Sequence, residues 1–220
     1  MKPHHHTQRR LLSAYHALQQ QYGPQYWWPG DSPFEIMIGA VLTQNTAWTN
    51  VEKAIQNLKQ AHYLHPEEIA TLPSAELAQC IRPSGYYNVK AKRLQHLCSW
   101  YIEQGQHPRL SQLDTPSLRA ALLSLHGIGP ETADDILLYA FQRPVFVIDA
   151  YTRRIFSRLD LFSADAPYEQ LRARIELALS PDTQLFNEYH ALLVRHGKET
   201  CRKRPQCEPC CLRKICAHPG

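Results

Sequence analysis

Five of the seven cysteines lie within the last twenty residues of this 220-residue chain. Four of them, Cys201, Cys207, Cys210 and Cys216, have the spacing C-x5-C-x2-C-x5-C. Four thiolates can hold either a tetrahedral zinc ion or an iron–sulfur cubane. A zinc ribbon usually has two separated C-x2-C pairs, whereas this segment has one pair flanked by single cysteines. The spacing therefore favours a [4Fe–4S] cluster, with zinc as the alternative and Cys211 as a spare thiol.

Three basic residues, Arg202, Lys203 and Arg204, lie between the first two cysteines of this pattern. They could form a solvated loop, or they could contact phosphates and so position the protein on a nucleic acid without reading its sequence. The formal net charge of +4 permits a polyanionic partner but does not require one.

A glycine-containing turn, Gly127-Ile128-Gly129, joins two predicted helices, and Pro130 suits the start of the second. The free N–H groups of such a turn and of the helix N-terminus can bind a phosphate. A plain helix–helix turn with a buried Ile128 is the alternative. Glu131 lies in the first helical turn, where the helix dipole favours an acidic residue.

Apolar residues repeat with helical spacing along nearly the whole chain, and the fold class is predicted to be all-α. A capping box at Ser32–Glu35 starts one helix, and Asp149 precedes a helix predicted over 150–159, where it would be the N-cap. The one β-type run, 144–148, is too short to found a sheet. No apolar run is long enough to span a bilayer, and the start of the chain has no apolar signal-peptide core, so we expect a cytoplasmic protein without a membrane partner. We also expect a monomer.

Several motifs together resemble the endonuclease III-like helix-hairpin-helix DNA glycosylases over about residues 30–216. Each motif is weak alone, but their combination and order are specific. They are the hairpin 125–133, Val147-Ile148-Asp149 with Asp149 twenty residues after Gly129, His196-Gly197 before the cysteines, the Gln44-containing loop 42–46 and the turn 84–91.

The resemblance implies two helical domains with a cleft between them. Residues 33–143 would form a six-helix barrel with the hairpin, and 1–32 with 144–220 a second domain carrying the iron–sulfur loop at about 197–217. It implies a double-stranded DNA partner, a flipped-out nucleotide and a [4Fe–4S] cofactor. Asp149 would be catalytic, because a carboxylate stabilises the oxocarbenium character of the cleaved sugar. Gln44 and the hairpin residues 127–129 would contact DNA.

Two positions depart from the family pattern. Glu131 occupies the position of the lysine with which bifunctional members form a Schiff base, and a carboxylate cannot form one. The first gap between the cysteines is five residues, where the family usually has six. The first departure predicts a glycosylase without lyase activity.

A monofunctional subgroup of the family, the 3-methyladenine glycosylases, also lacks this lysine, and the chain resembles it in Trp27-Trp28-Pro29 and in Trp48 after the Gln44 loop. In that subgroup the aromatic residues of these segments line the base pocket. Stacking on tryptophan suits a cationic alkylated purine. The alternatives are an oxidised-pyrimidine or mismatch glycosylase with lyase activity, and a DNA-binding module without catalysis.

Overall fold

The computed structural model describes residues 3–218, with side chains from residue 5 onwards. This part of the chain is helical and contains no β-strand, which confirms the predicted all-α fold class. The α-helices are α1 Pro3–Tyr22, α2 Pro33–Leu42, α3 Trp48–Gln60, α4 Pro66–Thr71, α5 Ser74–Cys80, α6 Tyr87–Glu103, α7 Gln106–Leu110, α8 Thr115–Leu123, α9 Pro130–Asp135, α10 Ala150–Arg158, α11 Tyr168–Leu179 and α12 Thr183–Glu199. α9 continues as a π-helical segment, Ile136–Ala140, and short 3-10 turns occupy Arg82–Ser84 and Arg213–Ile215. None of the described helices has the combined length and apolar character that crossing a bilayer requires.

The chain divides into two compact units. One is Trp28–Arg143, and the other joins Met1–Trp27 to Pro144–Gly220. Residues 28–32 fall within the first of these units, whereas the sequence placed the boundary at residue 33. The reason is Trp28, whose indole packs so closely on α2 that a Cβ at Gly39 would lie 3.1 Å from its Cζ2 atom.

Helix α2 forms the buried centre of the unit Trp28–Arg143 and packs against α3, α6 and the π-helical segment. It starts as the sequence predicts, because the Ser32 hydroxyl accepts a hydrogen bond from the Glu35 N–H (3.2 Å) and Pro33 occupies the first turn. The Glu35 carboxylate accepts from the Asp31 N–H (3.2 Å). These hydrogen bonds fix the first turn of α2, and with it the direction in which the helix runs towards the loop 42–46 that contains Gln44.

The other unit has an aromatic core of Phe146, Phe156, Phe186 and Tyr189, with ring centroids 5.3–6.4 Å apart. The Tyr189 hydroxyl donates to the Leu11 carbonyl (2.9 Å) and thereby ties α12 to α1. Rings at such distances stabilise a core beyond the area that they bury.

The run 144–148 is extended and buried but pairs with no strand. Side chains instead accept from its backbone: the Phe146 N–H donates to Glu176 (2.9 Å) and the Ile148 N–H donates to the Tyr168 hydroxyl (3.3 Å). Buried N–H groups need such partners. The run delivers Asp149 to the start of α10.

Candidate functional site

The hairpin between α8 and α9 contains one glycine that the backbone requires. Gly127 has a φ of +89°, a conformation that favours glycine. Gly129 has an ordinary extended backbone and is the N-cap residue of α9, with open space where a Cβ would point. Ile128 is buried between them. The turn therefore anchors itself through Ile128 and leaves room beside Gly129 for another molecule.

Gln44 is built into the hairpin. Its amide nitrogen donates to the Gly127 carbonyl (3.1 Å) and to the Thr132 hydroxyl (2.9 Å). Its amide oxygen accepts from the Arg93 guanidinium. The loop after α2 and the hairpin are thus joined through one side chain.

The two helices of the hairpin are clamped together by an ion pair. Asp134, which is fully buried, accepts from Arg119 on α8 at both carboxylate oxygens (2.7 and 3.1 Å). Such a bidentate pair is strong and directional. Glu131 is exposed in the first turn of α9. The side chain that position 131 offers to a ligand is thus a carboxylate and not an amine.

Lys90 is a buried side chain to which the sequence analysis assigned no role. Its ammonium group donates to the carbonyls of Leu42 (2.9 Å) and Ser84 (2.7 Å). Burial, with a contribution from the nearby Arg93, lowers its pKa to about 8. Lys90 holds the end of α2 against the turn at Arg82–Ser84. Lys90 belongs to the turn 84–91 that resembles the family pattern, but lysine is so often exposed that its type gave no sign of burial.

Asp149 is the N-cap of α10, as predicted: its Oδ1 atom accepts from the Thr152 N–H (2.7 Å). Its Oδ2 atom lies 3.7 Å from Nε2 of His190 on α12. Burial by itself would raise the pKa of Asp149, but the interactions with His190 and Thr152 outweigh it, and the pKa is lower than usual. The arrangement yields an ionised carboxylate that is only 8% exposed. Sequence reasoning missed His190, which lies 41 residues further along the chain.

Trp28 and Trp48 form one wall of a cavity of about 170 Å³. Their rings meet edge to face at 5.1 Å, and Trp28 also contacts Tyr139 (5.2 Å). Pro29 lines the same cavity, together with Glu35, Glu52 and Lys59. The Trp48 indole N–H donates to Glu52 (2.8 Å). Three of the four predicted pocket residues thus share a cavity, while the fourth, Trp27, belongs to the other unit.

The cysteine loop follows α12 and is held at its start by two arginines of α10. Arg154 donates to the carbonyls of Gly197 (3.0 Å) and Cys201 (2.8 Å). Arg158 donates to the Cys201 sulfur (3.2 Å) and to the carbonyls of Arg202 (2.7 Å) and Lys203 (3.0 Å). The carbonyl of Arg158 in turn accepts from the Cys216 thiol (3.4 Å). One residue of α10 therefore contacts both the first and the last cysteine of the pattern.

Three of the spaced cysteines, Cys201, Cys207 and Cys216, lie within electrostatic reach of the fourth, Cys210. Burial raises the pKa of Cys210, and the negative charges of Cys201, Cys216 and Cys207 add to the effect. Burial also raises the pKa of Cys211, to about 11, with Cys210 as the cysteine that adds to it. Within the described residues, no three Cys, His, Asp or Glu side chains converge to hold a single metal ion. A cubane makes a different demand, because each of its four thiolates binds a different iron atom.

His196 connects the loop to α1. It is fully buried, its Nδ1 atom lies 2.9 Å from the Tyr22 hydroxyl, and its Nε2 atom lies 3.6 Å from the Cys210 sulfur. The side chains of Arg202, Lys203 and Arg204 are exposed. Because Arg158 donates hydrogen bonds to the Arg202 and Lys203 carbonyls, the backbone that carries these exposed side chains is held in place.

Comparison with known proteins gives a consistent result. The profile of the family described as "HhH-GPD superfamily base excision DNA repair protein" matches residues 38–181. A protein of Methanocaldococcus jannaschii, whose name marks it as an inferred DNA repair glycosylase, is 44% identical over 209 residues, which are 94% of this chain and 95% of that protein.

Two solved structures are similar in fold. The 3-methyladenine DNA glycosylase of H. pylori (MagIII), bound to 1,N6-ethenoadenine, is 31% identical with a TM-score of 0.76, over 86% of this chain and 97% of that one. An endonuclease III in a non-covalent complex with DNA is 24% identical with a TM-score of 0.80, over 95% and 94% of the two chains. At that identity the second likeness concerns the fold alone.

Proposed function

Since the chain belongs to the HhH-GPD superfamily of base excision DNA repair proteins, we propose that it is a monofunctional DNA glycosylase for alkylated purines such as 3-methyladenine. It hydrolyses the N-glycosidic bond of a flipped-out nucleotide in double-stranded DNA and leaves the strand intact. The observation that carries the substrate assignment is the cavity lined by Trp28 and Trp48. The likeness to the H. pylori 3-methyladenine glycosylase supports it.

The cavity suits a cationic heterocycle. A volume of about 170 Å³ has room for one small ring system. Indole rings attract cations through their faces, at about 0.5–2 kcal/mol for each contact. The lining holds two carboxylates, Glu35 and Glu52, against one ammonium group, Lys59, and this ammonium is paired with Glu35 (2.9 Å) and with Asp31 (2.7 Å), so the lining keeps a net negative charge. An alkylated purine that carries a positive charge gains from both the rings and the carboxylates.

Asp149 supplies the charge for the chemical step. As the bond to the base breaks, the sugar gains oxocarbenium character, and a nearby carboxylate stabilises it and orients the attacking water. The carboxylate must be ionised to do so, and its lowered pKa meets this requirement despite burial. A cationic alkylated purine leaves readily, so the mechanism needs no strong general acid.

The absence of lyase activity follows from Glu131. The lyase step needs an amine that attacks the sugar C1′ atom and persists as an imine. Where bifunctional members of the family have the lysine, this chain has the carboxylate of Glu131. We expect base release to leave an intact abasic strand.

DNA binding is assigned to two elements. The hairpin at 127–129, held by Gln44, presents the N-terminus of α9 to a phosphate. The exposed side chains of Arg202, Lys203 and Arg204 add sequence-independent phosphate contacts.

We also propose that Cys201, Cys207, Cys210 and Cys216 hold a [4Fe–4S] cluster. The donor set fits this group, because four thiols stand at the spacing C-x5-C-x2-C-x5-C and three of them lie within electrostatic reach of the fourth, Cys210. A cluster held by these cysteines would cross-link the loop, and Arg158 and His196 lie beside the Cys201 and Cys210 sulfurs.

The test is a single-turnover excision assay on duplexes that carry 3-methyladenine, 7-methylguanine, ethenoadenine, thymine glycol or a mismatch. We expect release of the alkylated purines, with at least a ~100-fold loss for Asp149→Asn, because the substitution removes the charge that stabilises the transition state. Asn is also a good N-cap, so the variant retains the start of α10. Trp48→Ala should lose a stack worth about 1–3 kcal/mol.

Borohydride trapping separates the two enzyme classes, with a bifunctional endonuclease III as the positive control. We expect no covalent protein–DNA adduct from this chain. Efficient trapping, or excision of thymine glycol without release of 3-methyladenine, would contradict the proposal and favour an oxidised-pyrimidine glycosylase with lyase activity. DNA binding without release of any base would instead identify a non-catalytic module.

A further inference from the structure

We propose that His190 is a positioning residue that keeps the buried Asp149 carboxylate ionised for base release. This inference rests on the role proposed above for Asp149. His190 does not need to touch the substrate in order to act. It acts through the carboxylate, whose charge the chemistry requires.

His190 lies next to one particular oxygen atom of the Asp149 carboxylate, Oδ2. The Thr152 N–H holds Oδ1 of Asp149 at 2.7 Å, and His190 Nε2 lies 3.7 Å from Oδ2. That distance is longer than a hydrogen bond but within the range of an ion pair. The imidazole is 5% exposed and the carboxylate 8%, so water screens the interaction weakly.

Burial creates the need for this partner. A carboxylate removed from water tends to bind a proton, because its charged form loses hydration. One backbone N–H at a helix start offsets only part of that loss. The His190 imidazole, within ion-pair distance, has the strongest lowering influence on the pKa of Asp149, followed by Thr152, and that pKa falls below its usual value although burial opposes this.

The elements packed against α12 add other groups to this environment. From α10, Tyr151 has a pKa raised by burial and by the charge of Asp149. Arg154 lies over the Tyr151 ring at 5.2 Å and is bonded to the carbonyls of Gly197 and Cys201. From α1, Tyr15 meets the ring of Tyr189 edge to face at 5.3 Å, and burial raises its pKa. Both tyrosines are neutral in the pH range of the test, and the arginine keeps its charge throughout it.

The experiment is the pH profile of single-turnover base release by the holoprotein and by His190→Gln, from about pH 4.5 to about pH 8. Removing the cation should raise the pKa of Asp149. The lowered pKa of Asp149 keeps the acid limb of the native protein below this range, whereas in His190→Gln the limb should move up into it; affinity for a duplex with a stable abasic-site analogue should stay within about twofold. A uniform loss of rate at every pH, without a shift of the limb, would overturn the proposal.

Tyr189→Phe is the matched control on the same helix. It removes the bond to the Leu11 carbonyl and should lower the melting temperature without moving the acid limb. If the control moved the limb as far as His190→Gln does, the effect would be structural and the proposal would fail.

A second measurement needs no activity. The unfolding midpoints of His190→Gln, Asp149→Asn and the double variant should be non-additive, with the double variant more stable than the sum of the single changes predicts. Additive changes would overturn the pairing of His190 with Asp149. Base release that survives Asp149→Asn would overturn the proposed catalytic role while leaving the pairing intact, so the two failures are distinguishable.

Discussion

The hairpin and the cysteine loop are both short connections that we expect to contact DNA, yet they are held in different ways. The hairpin is held by buried side chains on both of its helices and in its turn: Ile128 is buried, the Gln44 side chain donates hydrogen bonds to Gly127 and Thr132, and the buried Asp134 is paired with Arg119. In the loop, arginines of α10 hold backbone carbonyls near its start. Between 201 and 218 only Cys201 and Leu212 are buried.

This difference indicates where each element obtains its rigidity. The hairpin belongs to a unit whose own packing fixes it, so its shape needs no ligand. The loop has almost no apolar core, and short segments of this kind need a cross-link to be ordered. The comparison therefore predicts that metal removal affects the loop and that loss of a buried ion pair affects the hairpin.

The largest expected effect is the one that removing the [4Fe–4S] cluster has on the order of the cysteine loop. The purified protein should contain about four irons per chain, and Cys207→Ser should lose them. In that variant we expect rapid proteolysis within 201–216 and weaker DNA binding, while hydrogen exchange at the hairpin stays unchanged. Iron analysis, visible absorption and limited proteolysis provide the measurements.

Cys211→Ser is the control for this experiment. It removes a neighbouring thiol that is not part of the spaced pattern and should retain the iron. Stoichiometric zinc in the native protein, or loss of iron from Cys211→Ser, would show that the ligand set has been assigned incorrectly.

The hairpin and the cysteine loop could be recognised in the sequence because each is marked by particular residue types at short, fixed spacing. The cysteines stand at fixed spacing, and the hairpin combines glycines, a proline and a first-turn acidic residue. Asp149 was identified as an N-cap by the same reasoning, and the structure confirms it. Such signals depend on residues a few positions apart, so they survive without knowledge of the tertiary fold.

The supporting contacts were not predictable in this way. Gln44 meets Thr132 across 88 residues, and Asp149 meets His190 across 41, so no local pattern links them. Helix α1 is a different case, because Leu11, Ala14 and Leu18 are fully buried at helical spacing. That spacing is a local signal of a helix, although we predicted no particular helix before residue 33.

Arg119→Ala is expected to have an effect of intermediate size, namely a loss of folding stability in the unit that contains the hairpin. The substitution removes the Arg119 guanidinium that pairs with the fully buried Asp134 carboxylate, and breaking a buried ion pair in this way costs about 3–5 kcal/mol. Chemical denaturation should show this loss, and hydrogen exchange should localise it to α8 and α9. The cysteine loop should retain its iron.

Two further variants sharpen this result. Arg119→Lys keeps the charge but loses the two-pronged geometry, so its stability should lie between those of the native protein and Arg119→Ala. The double variant Arg119→Ala/Asp134→Ala removes both charges and should be more stable than Arg119→Ala alone. If the double variant were the least stable of the three, the buried charge would not be the cause.

The smallest expected effect concerns the basic side chains on the loop. Charge reversal at Lys203 or Arg204 should weaken binding to every duplex alike and reduce the salt dependence of the affinity by about one unit of slope for each lost contact. Arg202 should have a similar or smaller effect, because its Nε atom already donates to the Lys198 carbonyl (2.9 Å). Titrations at several salt concentrations provide the measurement.

Arg213→Glu and Lys214→Glu test whether these contacts are local. Both residues are exposed on the same loop, between Cys210 and Cys216, so they change the net charge by the same amount. If the segment 202–204 meets phosphates because Arg158 holds its backbone, reversal there should reduce the slope more than reversal at 213 or 214. Equal reductions would mean that only overall charge matters, and the proposed phosphate contact at 202–204 would then be wrong.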